Sequence, residues 1–162
     1  MFQPLTNPGL HRYHFPGYDQ YPVITNQGDL VKEYLDYSLF NLKNTFREHQ
    51  NTCALRLTLK VPWQAKANND YAIQAFLTYL EQQLTADLSL RSELSGKALF
   101  STIRHLWSKE FDRASKPYYS VFLLFNLDVY NCIECDTWNV GGSMLKRIHQ
   151  AWSSALDIEP FK

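Results

Sequence analysis

Hydrophobic and polar positions change period several times along this chain, and each change marks an element. From residue 54, Leu55, Leu57, Leu59 and Val61 alternate with Arg56, Thr58 and Lys60. That is the period of a strand with one apolar and one polar face, stopped at Pro62. Upstream, Leu30, Tyr34, Leu35, Leu39 and Leu42 recur near helical spacing and predict a helix from an Asp29 cap to about Phe46. A second helix is expected after Asp70, with Ile73, Phe76, Leu77, Leu80, Leu84 and Leu88 as its apolar stripe, and residues 91–97, with Gly96, read as a turn. Residues 99–110 are strand-forming but mixed in polarity. Residues 119–127, YSVFLLFNL, are an almost continuous apolar run, as in a central strand covered on both faces. Residues 112–117 between them suit a hairpin. After a loop over 128–142, Ser143 caps a last helix carrying Leu145, Ile148, Ala151, Trp152, Ala155 and Leu156.

The resulting order is helix, strand, helix, strand, strand, helix. It predicts an α+β fold, a ferredoxin-like βαββα palm that is an incomplete βαββαβ unit with an extra N-terminal helix. A missing last strand leaves an open sheet edge, which invites a homodimer or strand addition by a partner. Residues 1–27 hold Pro4, Pro8, Pro16 and Pro22 with Gly9 and Gly17, which block regular helix. They read as an extended arm carrying Tyr13, Phe15, Tyr18 and Tyr21, ahead of a single α+β domain over 28–162.

Composition narrows the functional classes. Sixteen basic and sixteen acidic residues in 162 give a formal charge of zero, so no large basic field drives binding to nucleic acid or membrane, and any such binding is local. The chain has no apolar run of bilayer length, and its start lacks the basic-then-apolar order of a signal peptide, so a cytoplasmic protein without membrane contact is expected. Cys53, Cys132 and Cys135 are too few for a disulfide scaffold, which fits a reducing compartment. Cys132 and Cys135 form a C-x-x-C pair, a weak zinc signal without two further ligands nearby, and no cofactor is expected. Phosphate-loop, zinc-protease and serine-hydrolase signatures are missing. His105 with Glu110, and Asp112 with Lys116, are titratable sets that a solvated hairpin explains better than a catalytic pair does.

The blocks RLTLKVP at 56–62, RHLWSKE at 104–110, KPYYSVFLLFN at 116–126 and IHQAWSSAL at 148–156 occur in the order and spacing of a known family. Over roughly two thirds of its length the chain resembles the YagK/YfjJ-type, inovirus replication-protein-like family of prophages and mobile elements. That family is similar to the rolling-circle replication initiators, in which two histidines on a central strand hold a cation and a tyrosine attacks the scissile phosphate. The resemblance places the metal motif, Pro-His-Tyr-His in the family, on Pro117, Tyr118, Tyr119 and Ser120. Both ligand positions, Tyr118 and Ser120, are therefore neutral hydroxyls. The family's nucleophile follows its last helix, and this sequence has no tyrosine after Tyr130. Trp107, Glu110, Asn126 and Trp152 match the family's blocks and are expected to keep its packing.

Loss of both features implies binding without catalysis. Arg56, Thr58 and Lys60 share one side of their strand, and Tyr118, Ser120 and Phe122 share one side of theirs; with Arg104 they form a candidate face for single-stranded nucleic acid or a partner. The competing expectation is that Tyr118 and Phe122 pack under the N-terminal arm. Three functions stand: a mobile-element protein acting on a protein partner, as a regulator or an inhibitor of host defence; a nucleic-acid-binding replication accessory protein; and a residual metal-dependent nickase.

Overall fold

The computed structural model describes residues 9–26, 28–62, 69–130 and 144–158. In chain order its elements are β1 (Arg12–Tyr13), β2 (Gly17–Tyr18), β3 (Tyr21–Pro22), β4 (Leu30–Val31), α1 (Lys32–Glu48), β5 (Thr52–Lys60), α2 (Asn69–Ser95), β6 (Arg104–Phe111), β7 (Pro117–Asn126) and α3 (Met144–Ala155). The fold is α+β. Contacts divide the chain into one unit ending at Asn44 and another beginning at Thr45.

In the first unit the prolines do not leave a plain extended arm. Two short antiparallel ribbons form instead, β1 with β4 and β2 with β3. Pairing of Leu30 and Val31 with Tyr13 and Arg12 delays the helix to Lys32, so Asp29 is no cap and pairs with Arg12 at 3.5 Å. Tyr13 and Tyr18 meet edge to face at 5.0 Å. The Tyr18 hydroxyl donates to Asp36, which Lys32 also holds at 2.8 Å one helical turn away. Glu33 accepts from the backbone N–H of His11 and pairs with its ring, which pulls its carboxyl down to about 2.

The second unit is built on the antiparallel sheet β5-β7-β6. Alternate residues of β7, Tyr119, Val121, Leu123 and Phe125, are at most 1% exposed. They pack with Cys53 and Leu59 of β5, with Ile73, Phe76, Leu80 and Leu84 of α2, and with Met144, Ile148 and Ala151 of α3. Each large apolar side chain so buried contributes about 1.5–3 kcal/mol. Both helices thus lie against one face. Cys53 is disulfide-bonded, contrary to the expectation of reduced thiols, so cysteine usage no longer argues for a reducing compartment.

Two boundaries and one burial pattern in this unit differ from the sequence reading. Residues 91–95 continue α2 where a turn was expected, because Arg91 donates to the Val129 carbonyl at 3.0 Å and pairs with Asp87 one turn back. Gly96, at φ 62°, supplies the left-handed residue that ends the helix. Strand β6 starts at Arg104 rather than at residue 99, since the backbone there is occupied elsewhere: Ser101 Oγ accepts from the Asn126 N–H and the Thr102 N–H meets the buried His49 ring. Finally, β7 is not covered on both faces. Leu124 and Ser120 are buried on the face away from the helices, but Phe122 is 41% exposed. No helix among the described residues is long and apolar enough to cross a membrane.

Candidate functional site

Cross-strand register decides what the uncovered face carries. Arg56 lies opposite Phe122, Thr58 opposite Ser120 and Lys60 opposite Tyr118. On the other side of β7, Leu106 lies opposite Phe122, Ser108 opposite Ser120 and Glu110 opposite Tyr118. Opposed residues project to the same face of a sheet, so the two polar sides distinguished in the sequence coincide. The rows through Thr58 and Ser120 and through Lys60, Tyr118 and Glu110, with Arg56 and the turn after β6, bound an open cleft of about 620 Å³ that also takes in Lys116 and Asp112, and Phe122 lies beyond its lining on the same face.

Chemistry on this face is graded from strand to strand. The β5 side is cationic, with Arg56 and Lys60. On β7 the Phe122 ring is exposed, and the Arg56 guanidinium sits 5.7 Å from its centroid, within cation–π range. The β6 side offers acceptors: Tyr118 Oη donates to Glu110 Oε2 at 2.6 Å and Ser108 Oγ donates to Oε1 at 3.1 Å. Hydrogen bonds from Tyr118 and then Ser120 hold the Glu110 carboxyl below its ordinary range, while the same carboxylate raises the Tyr118 phenol. Asp112 has a different task. Its Oδ1 accepts from the backbone N–H groups of Ala114 and Lys116 at 2.8 and 2.9 Å, which closes the turn between β6 and β7.

The remaining residues singled out in the sequence separate cleanly. Arg104 is on the uncovered face, but its guanidinium is held by Glu48 at 2.9 Å and by a second contact to the same carboxylate. Trp107 is on the helix-covered face, edge-on to Tyr119 at 5.9 Å. Asn126 bonds the Phe100 carbonyl and the Asp128 N–H, and so fixes the end of β7. The Trp152 indole donates to the Lys60 carbonyl at 3.0 Å and lies edge-on to Phe76 and Tyr119. Of the family-block residues, only Glu110 faces the cleft. His105 projects to the opposite face from Glu110, where burial lowers its pKa, so those two residues form no pair. Cys132 and Cys135 lie outside the described residues. Among the described residues no three His, Cys, Asp or Glu side chains converge as metal ligands. Ser108 was not anticipated; its place two residues before Glu110 on a strand was the available signal.

Glu48 gives this unit an acid-sensitive contact. Arg104, foremost among its partners, holds the Glu48 carboxyl below its ordinary value of 4.5. A carboxyl lowered on folding contributes stability that is complete above 4.5 and is lost as pH falls through the folded value. Urea midpoints are therefore expected to drop between pH 7 and about pH 3.5, and Arg104→Ala to narrow that difference. An unchanged difference would remove this pair from the acid response.

A family model for the YagK/YfjJ C-terminal domain matches residues 14–160. A protein of Escherichia coli (strain K12) described as uncharacterized protein YfjJ is 27% identical over 143 residues, covering 80% of this chain and 64% of its own length. The chain thus spans less than two thirds of that relative. No solved structure matches it.

Proposed function

The chain belongs to the YagK/YfjJ C-terminal domain family, and we propose that it is a noncatalytic binding protein whose uncovered sheet face takes single-stranded nucleic acid. The observation that carries this reading is the register, which sets Arg56 beside an exposed Phe122 and Lys60 beside Tyr118 on a central strand. Unstacked bases lie on such rings, and flanking cations meet the phosphates. The net charge of zero confines the attraction to the cleft, where Arg56, Lys60 and Lys116 outnumber Glu110 and Asp112. The positions that the family resemblance assigns to metal-binding histidines are Tyr118 and Ser120, both hydrogen-bonded to Glu110, which suits an accessory or regulatory protein of a phage or mobile element better than a nickase.

Fluorescence anisotropy with labelled single strands at several salt concentrations tests this. Three cations on phosphates give a log–log salt slope of about −2 for a single strand. Arg56→Ala with Lys60→Ala is expected to weaken binding by about tenfold or more and to flatten the slope by about 1.4. Phe122→Ala should weaken binding with the slope unchanged. Absence of strand binding, or a double variant with the native slope, defeats the proposal.

A second reading, a protein partner that adds a strand to the sheet, has one observation in its favour. The Leu127 N–H donates to the Asn51 carbonyl, which orients alternate residues of β5 toward β7. The backbone groups of Ala54, Arg56 and Thr58 then point to the outer edge, without a backbone partner among the described residues. A partner bound there would hold through main-chain hydrogen bonds and show little salt dependence.

A further inference from the structure

We infer that Glu110 makes this face select guanine-bearing single strands. The inference rests on the strand-binding reading and deepens it. Three adjoining strands carry three different chemistries: cations on β5, rings on β7, and hydroxyl and carboxylate acceptors on β6. A phosphate is attracted to Arg56 and Lys60 and repelled by Glu110. A strand lying along β7 therefore sets its backbone over β5 and turns its base edges toward β6. The edge of a base stacked at Tyr118 then meets the Glu110 carboxylate, which is opposite that residue and already hydrogen-bonded to its hydroxyl.

Asp112, the other carboxylate of the cleft, has its Oδ1 engaged by the turn past the end of the β6–β7 pairing, whereas Glu110 lies in register beside Tyr118. It keeps acceptor capacity. A carboxylate has about four lone-pair sites, and its partners here are hydroxyls of Tyr118, Ser108 and Ser120, which rotate and also accept. Guanine presents a ring N–H and an amino group side by side, two parallel donors that match the two carboxylate oxygens as a guanidinium does. Adenine and cytosine present an amino group next to an acceptor nitrogen. Thymine and uracil present one N–H between two carbonyl oxygens, which the carboxylate repels. The preference order is guanine, then adenine and cytosine, then thymine.

The test measures the anisotropy of the full chain with labelled twelve-nucleotide strands: all thymidine, and thymidine alternating with guanine, inosine or adenine. The guanine strand is expected to bind about tenfold tighter than all-thymidine, the range of one good two-point contact. The inosine strand, without the amino group, falls between them. In Glu110→Gln the guanine and all-thymidine affinities converge to within about twofold, because the all-thymidine strand binds more tightly once the charge is gone. Circular dichroism confirms that the variant is folded. Equal binding of all four strands to the native chain, or a preference that survives Glu110→Gln, overturns the inference and leaves the strand-binding reading intact. Absence of binding to every strand overturns both.

Discussion

Phe76→Ala is expected to cost the second unit about 3–5 kcal/mol of unfolding free energy. Phe76 is completely buried in the first third of α2, and its ring meets the Trp152 indole edge to face at 5.8 Å. Trp152 in turn abuts Tyr119 under the central strand and donates its N–H to the end of β5. Truncation removes a ring's worth of buried area and opens a cavity between two elements that the rest of the core holds apart. The cost is a large share of the about 5–15 kcal/mol that stabilises an ordinary domain. Urea unfolding with an unchanged slope and a lower midpoint is the expected signature. Phe76→Leu keeps most of the volume and should cost about 1.5 kcal/mol or less. A loss below about 1 kcal/mol for the alanine variant would show that Trp152 swings in to fill the space.

The second large effect is electrostatic. Asp87 on α2 accepts from Arg147 of α3 at 2.6 Å and lies 3.7 Å from Arg91, with the Asp87 and Arg147 side chains only 12% and 17% exposed. Removing Asp87 takes away the carboxylate that both guanidinium groups face in a mostly desolvated place, so Asp87→Ala is expected to cost about 3 kcal/mol. Arg91 also has contacts to the Val129 carbonyl and over the Tyr130 ring at 5.6 Å. Arg147→Ala leaves Asp87 with Arg91 and should cost less. The double variant Asp87→Leu with Arg147→Met replaces the pair by apolar groups and is expected to recover most of the loss. A double variant as unstable as the sum of the single changes would rule out direct coupling.

The parts of this fold that were legible in the sequence are those that local pattern encodes. Alternation of leucine with Arg56, Thr58 and Lys60 identifies β5 and its polar face without reference to the rest of the chain. The run at 119–127 is ambiguous in kind. An aromatic side chain that packs and one that waits on a surface look alike in a string of apolar letters, so the run reads as covered on both faces while the shared side of Tyr118, Ser120 and Phe122 also reads as a binding face. Register is not local either. That Lys60, Tyr118 and Glu110 form one row follows from how β5 and β6 dock on β7, and no residue in any one strand states it. The Asp87–Arg147 pair joins residues 60 positions apart, a distance at which charge pattern carries no signal. In the first unit, proline spacing correctly forbade helix but was silent on the two-residue ribbons, whose pairing depends on Arg12 and Tyr13 meeting Val31 and Leu30.

The order of strands in the sheet has a kinetic consequence. Strands β6 and β7 are neighbours in sequence, joined by a turn that Asp112 closes, whereas Lys60 reaches Tyr118 only after α2 and β6 have been laid down between them. Closing a short loop costs less chain entropy than closing a long one, and contacts distant in sequence slow folding. The β6–β7 hairpin is therefore expected to nucleate with α2, and β5 to join last. Glu110 and Tyr118 come with the hairpin; Arg56 and Lys60 come with β5. Until β5 docks, the nascent sheet presents acceptors and rings without the cations that draw a phosphate backbone, so a partly folded chain has no cleft with which to hold a strand.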